Sequence, residues 1–249
     1  MSYMHSVIPA SNSYFEQVSE FDRKFLGRDD EPIVGKAAEE FTSEGEKHPE
    51  RYDFLSKWFV NELAFSSIQE GLVMDLGSGP GFLTRMVAKS IPNNIEIVGV
   101  DLSEDMVNIS NQINQDIDNI SFVNGDARLI KDIAHKEINA VISRRMIHRV
   151  DNLEKFLNVV VSSLKPDGGV MLNYGFRRPT NVDELKAFLE AANLRKGHPT
   201  LYEAFVRAVL NAPTLEEYRQ AGTNVAEKLN LKSFKLEVFP FDVGMIFVR

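Results

Sequence analysis

The stretch LVMDLGSGPGFL, residues 72–83, sets an apolar run, an acid, three alternating glycines and a helix start in direct succession. Leu72, Val73 and Met74 suit a strand buried on both faces, with Asp75 at its carboxyl end. Gly77, Gly79 and Gly81 let the backbone turn sharply and come close to a ligand. Pro80 presets φ for the first turn of a helix expected over 81–90, so a ligand is expected on the turn and on the N–H groups that open that helix. Spacing narrows the ligand. A dinucleotide turn needs G-x-G-x-x-G/A, and counted from Gly77 the third small position is Phe82. The turn reads D-x-G-x-G-x-G instead, and an acid beside it favours an ammonium group over a pyrophosphate.

Working outward, IEIVGVD at 95–101 is a second strand ending in an acid. Asp101 is placed to accept hydrogen bonds from both hydroxyls of a ribose lying across the turn. Ser103 supplies the cap of the next helix, expected over 105–116, so Asp101 is not needed for that task. ISFVNGDA at 120–127 gives a third strand followed by Gly125, Asp126 and Ala127, and INAVIS at 138–143 a fourth. Asp151 with Glu154 three residues later reads as the cap of a helix carrying Leu153, Phe156, Leu157, Val160 and Leu164 on one face. KPDGG at 165–169 ends it, and Val170 to Tyr174 is a fifth strand. Strands alternating with helices imply a parallel sheet with right-handed crossovers, and ligands then bind beyond the carboxyl ends of the strands.

The glycine turn, Asp101, the GDA at 125–127, and the fourth strand followed by SR, a histidine and LKPDGG together resemble the class I S-adenosylmethionine-dependent methyltransferases, particularly their small-molecule branch. The resemblance covers about residues 70–175. It implies an α/β, Rossmann-like sheet of seven strands with helices on both faces, an N-terminal helical lid and a helical insertion before the last two strands. As one domain over 1–249, the chain divides into an N-terminal helical cap (1–70), a cofactor-binding core (71–175), the insertion (176–230) and a C-terminal strand pair (231–249). The cofactor implied is S-adenosylmethionine, leaving as S-adenosylhomocysteine, with no metal. The residues implied to hold it are Asp75, Gly77, Ser78, Gly79, Gly81, Asp101, Leu102, Met106, Asp126, Ala127, Ser143 and Arg144. In the family the acid at the Asp126 position accepts from the adenine amino group, and the next N–H serves the ring.

The flanks carry the acceptor question. Helices are expected over 11–26, 36–41 and 52–65, with a solvated turn at 44–50, and the aromatics Phe54, Trp58 and Phe59 read first as core. Tyr14 and Phe21 are candidates for the pocket under the lid, and Tyr174 and Arg177 follow the fifth strand toward it. Helices over 182–192, 201–210 and 215–220 form the insertion, the last with a Thr214/Glu217 capping box, and strands over 234–239 and 243–248 pair antiparallel. The reaction implied is an in-line displacement, in which alignment is the main task. A nitrogen nucleophile needs no base, whereas a hydroxyl needs one, and His148 is the candidate at the rim, or else a loop-closing or capping histidine. Arg144 and Arg145 suit the cofactor carboxylate, an acidic substrate or surface ion pairs.

Bulk properties exclude more than they select. A net charge of −8 and a pI near 5.2 oppose nucleic acid and anionic membranes as partners. With no cysteine there is no disulfide, thiolate metal site or thiol nucleophile, which also argues against acting like relatives that methylate arsenic through thiolates. No apolar run reaches the ~18 residues needed to span a bilayer, so a cytoplasmic monomer or homodimer acting on a small-molecule acceptor is expected. Three other readings stand beside it: a sensor or accessory protein that binds the cofactor without transfer, a protein methyltransferase, and a nicotinamide-dependent oxidoreductase, which Phe82 opposes. RNA methylation is opposed by charge and by SRRM at 143–146, where an N-P-P-Y-type signature would stand.

Overall fold

Seven strands form one sheet in the computed structural model, which describes residues 32–47, 49–65, 68, 70–192 and 199–249. They are β1 (Gly71–Leu76), β2 (Ile95–Asp101), β3 (Ile120–Asn124), β4 (Ile138–Arg144), β5 (Val170–Phe176), β6 (Ser233–Val238) and β7 (Asp242–Val248), in the order β3-β2-β1-β4-β5-β7-β6. The first five run parallel; β7 is antiparallel to both β5 and β6. The strand order reverses between β1 and β4, which opens a crevice above their carboxyl ends.

Alternation along the strands feeds two cores. Leu72, Met74 and Leu76 of β1 face one, together with Val141 and Met171, and Val73 faces the other with Ile97, Ile142 and Leu172. The first core is closed by α6 (Leu153–Ser163) and by α9 (Leu215–Lys228). The second is closed by α2 (Glu50–Phe65) and α3 (Phe82–Ala88). Trp58 of α2 stands edge-on to Tyr174 of β5 and donates its indole N–H to Glu237 of β6 at 2.8 Å, so the helix that precedes the sheet is tied to the hairpin that ends it.

Several boundaries differ from those the periodicity suggests. The helix expected over 11–26, with Tyr14 and Phe21, lies outside the described residues. The solvated turn expected at 44–50 is largely helix: α1 runs Lys36–Lys47, because Gly45 is buried and its missing side chain makes room for the Phe82 ring. The cap of α6 is Asn152, whose side chain accepts from Lys155 N at 2.8 Å, and not Asp151. Strand β5 extends two residues beyond Tyr174, since β7 gives Phe176 a partner in Asp242. Helix α9 continues past Gln220 to Lys228 on a buried stripe of Tyr218, Ala221, Gly222 and Val225, and it carries the expected capping box at Thr214 and Glu217. The remaining helices are α4 (Glu104–Ile113), α5 (Ile130–Ile133), α7 (Val182–Ala192) and α8 (Pro199–Asn211).

Candidate functional site

Gly77, Gly79 and Gly81 all have positive φ, at 72°, 52° and 77°, which a residue with a Cβ adopts only under strain. At Gly77 there is also no space, because a Cβ would stand 2.6 Å from Met146. The turn spends its own donors. Gly77 N and Ser78 N both donate to Val100 O, Gly79 N to Asp101 Oδ2 at 2.9 Å, and Gly81 N to Ser78 O, while Pro80 has no N–H. Helix α3 opens only at Phe82, after Gly81 at its N-cap. The turn itself therefore offers no row of free N–H groups, and those left to meet a ligand are the N–H groups of Phe82, Leu83 and Thr84 that open α3.

Carboxylates surround the turn instead. Asp75 is buried at the end of β1, where Thr84 Oγ1 donates to it at 2.6 Å. Burial pushes its pKa up to about 7; the Thr84 bond opposes this, the Asp101 charge adds to it and Arg144 opposes it. Asp101, at the end of β2, accepts from Ser103 N through Oδ1 and from Gly79 N through Oδ2. Each carboxylate oxygen can accept twice, so capacity remains on both for a pair of hydroxyls. Burial raises the Asp101 pKa against those two backbone bonds. Asp126 is held differently: Arg128 bonds both its oxygens through the guanidinium at 2.6–2.9 Å and lowers its pKa. An adenine amino group would share that carboxylate with Arg128. Leu102 and Met106 complete the lining on this side, Met106 buried and Leu102 exposed at the rim. Acids crowded about the turn fit a ligand carrying an ammonium and hydroxyls, as S-adenosylmethionine does, better than a dinucleotide phosphate.

Two expected cofactor residues are elsewhere. Ser143 is fully buried and donates to Leu76 O at 3.0 Å, tying β4 to β1, and does not line the cavity. Gly81 packs against Phe122 and Asn114 beneath the turn. Arg177, expected in the acceptor pocket, is also outside it: its guanidinium pairs with Glu184 of α7 and bonds Pro240 O at 2.6 Å, because the chain leaves β5 toward the insertion there.

One cavity of about 540 Å³ joins the turn to a second half built from β4, β5, β7 and the insertion. Arg144, at the end of β4, lies over the Tyr52 ring at 4.6 Å, and its Nε is buried with no partner among the described residues. Its neighbour Arg145 has φ of 53° and donates its N–H to Tyr174 O at 2.7 Å. The Arg145 guanidinium bonds Asp242 through Nε and Nη2, each at 3.3 Å, and lies 4.1 Å from the centre of the Phe176 ring. Register explains the convergence, because Asp242 opens β7 directly opposite Phe176 and Arg144 pairs with Tyr174. Burial and the charge of Asp242 push the Tyr174 pKa up, so its hydroxyl stays protonated. His148 sits against Phe176 with ring centres 5.8 Å apart, and its Nδ1 is buried with no partner among the described residues. Burial, then Arg149 and Arg145, push its pKa down to about 3. Phe188, Phe205 and Phe241 extend the wall. Sequence reasoning left these phenylalanines and Asp242 unassigned. The signal for Asp242 was its place at the head of a strand that, once paired antiparallel to β5, returns to the carboxyl end of the sheet.

Among the described residues, no group of His, Asp and Glu is placed to hold a metal ion, and no helix is long and apolar enough to cross a membrane.

Residues 69–237 match a family model described as a methyltransferase domain. The arsenite methyltransferase of Halobacterium salinarum is 27% identical over 116 residues, covering 45% of this chain and 29% of that protein. The ubiquinone/menaquinone biosynthesis C-methyltransferase UbiE of Pseudomonas fluorescens is 28% identical over 162 residues, 61% of this chain and 62% of that protein. The chain thus spans under two thirds of the length of both relatives. The plantazolicin methyltransferase BpumL, solved in complex with S-adenosylhomocysteine, superposes with a TM-score of 0.69 at 12% identity, over 96% of this chain and 99% of that one. At that identity the likeness shows the shared fold.

Proposed function

The chain belongs to the family of S-adenosylmethionine-dependent methyltransferases, and from that premise we propose that it transfers a methyl group to a small-molecule acceptor in the aromatic half of the cavity. The observation that carries the reading is the glycine turn: its N–H groups are spent internally, and Asp75, Asp101 and Asp126 stand around it. S-adenosylmethionine, when bound, supplies a methyl on a positively charged sulfur. Asp75 and Asp101 bind, the first meeting an ammonium and the second a pair of hydroxyls. Arg144 meets a carboxylate, and Leu102, Met106 and Ala127 pack against a flat base. Residues 71–175 hold the cofactor, while the described residues of the insertion shape the acceptor's side and 231–249 close the sheet.

His148 is a weak base at its depressed pKa, so its role is to orient the acceptor by a hydrogen bond and not to remove a proton near neutral pH. The ring wall excludes water and aligns a flat acceptor for in-line attack. Arsenite is not the acceptor proposed, because the chain has no cysteine to bind it as a thiolate complex. The test is to incubate the full chain with cofactor carrying an isotopically labelled methyl and a small-molecule extract. Label in the low-molecular-mass fraction supports the reading. Label in protein alone would point to a protein methyltransferase, and binding of S-adenosylhomocysteine without any transfer to a sensor.

A further inference from the structure

The acceptor half of the cavity is lined with rings and presents an arginine whose donors are only partly used. Phe188 and Phe205 stack with centres 5.2 Å apart, Phe241 stands edge-on to Phe188 at 4.7 Å, and Phe176 stands edge-on to both Phe188 and Phe205. Arg145 enters this half bonded to Asp242, while Arg144 beside it is the residue assigned above to the cofactor carboxylate. Of the other acids of the cavity, Asp75, Asp101 and Asp126 stand around the glycine turn, and Glu44 arrives on α1.

Arg145 is held with unusual care. Its left-handed backbone is strained for a residue with a Cβ, and such strain persists where the surroundings over-determine a position. Here the N–H to Tyr174, the stack on Phe176 and the two bonds to Asp242 do so. Those bonds use Nε and Nη2, and Nη1 makes no hydrogen bond to any described residue. A planar donor therefore stands beside an aromatic wall of the cavity with the two N–H groups of Nη1 to spare.

We infer that the acceptor is a flat aromatic molecule carrying an ionised oxygen, a carboxylate or a phenolate, with its ring against the wall made by Phe176, Phe188 and Phe205 and its charge on Arg145. This rests on the methyltransferase reading above. An ammonium-bearing acceptor is disfavoured because Asp242 is already engaged by Arg145 and by the Tyr174 hydroxyl. Neutral His148, with an unpartnered ring nitrogen in the same half, adds a hydrogen bond without adding charge.

The test is calorimetric titration of the full chain, with and without saturating S-adenosylhomocysteine, against 2-naphthoate, its neutral analogue 2-naphthamide, the cation 2-naphthylmethylamine, and 4-nitrophenolate. The expected result is that 2-naphthoate or 4-nitrophenolate binds at least about tenfold tighter than the amide, a charge-assisted bond against a neutral one. Which of the two binds better distinguishes carboxylate from phenolate. Arg145→Gln should erase the preference, Arg145→Lys should keep part of it, and Asp242→Asn should tighten the anions several-fold by removing the opposing charge. Opposite signs at the two partners are not expected from a pair that only closes the fold, and Asp242→Asn and Arg145→Lys stand in if Arg145→Gln does not fold. Equal affinity for naphthoate and naphthamide, tighter binding of the amine, or an unaltered preference in Arg145→Gln would overturn the inference. If S-adenosylhomocysteine binds and no anion preference appears, the acceptor inference fails alone. An anion preference without S-adenosylhomocysteine binding removes the cofactor reading and leaves the anionic-ring site standing.

Discussion

Asp75 and Asp101 carry the cofactor reading at the level of single side chains, and each makes a distinct prediction. Asp101→Ala removes two acceptors for hydroxyls, each bond to a charged group being worth about 1.5–3 kcal/mol, so S-adenosylhomocysteine should bind at least about a hundredfold more weakly by calorimetry. Unchanged affinity would remove the ribose role. Asp75 works against stability in the free protein. Its folded pKa, about 7, lies above the ordinary value of 3.8, so the native state binds more protons than the unfolded one in that window, and stability falls as pH rises through it. Asp75→Asn should therefore raise the melting temperature of the ligand-free protein at pH 8, converge with the parent near pH 4, and lose cofactor affinity. Should the variant melt lower at pH 8, the buried carboxylate is being met by a cation that the account does not include. His148 shifts the other way. Its folded pKa lies below the ordinary 6.5, so the native state resists protonation and stability is lost as pH falls below 6.5. His148→Gln should narrow the gap between stability at pH 7 and at pH 5 in thermal melts; an unchanged gap would show an imidazole that already protonates freely.

Elements decide how much of this could be read in advance. Strands β1 to β5 and the turn after β1 were legible because their signals are local: apolar runs, glycines at fixed spacing, and acids at strand ends. Ser143 and Gly81 shared that local pattern and yet serve the packing between β4, β1 and α3, which no local signal distinguishes. Asp242 was illegible for the converse reason. It matters only through the antiparallel register that sets it against Phe176 and within reach of Arg145, residues far away in sequence. Helix α9 props that corner, since the Tyr218 hydroxyl, fully buried, donates to Phe176 O at 2.7 Å. Tyr218→Phe leaves that carbonyl without its partner and should cost about 1–3 kcal/mol in denaturant unfolding. Weakened 2-naphthoate binding with intact S-adenosylhomocysteine binding is the expected companion. A variant as stable as the parent would show that the β5 end is supported by other contacts.

Across the whole molecule, one sheet brings together the turn that follows β1 and an aromatic wall assembled from β5, β7 and the insertion. The family is settled by the match over 69–237, and the relatives' small-molecule chemistry is theirs. What this chain adds is one cavity in which Asp75 and Asp101 stand about the turn and Arg145, bonded to Asp242, stands beside the rings. The central claim is that this cavity takes S-adenosylmethionine. It is tested most directly by calorimetric titration of the full chain with S-adenosylhomocysteine and, in parallel, NAD at pH 7. The account predicts saturable one-to-one binding of the first, none of the second, and release of up to about half a proton as the ammonium draws the Asp75 pKa down. Binding of NAD with none of S-adenosylhomocysteine would contradict the reading of the glycine turn on which the account rests.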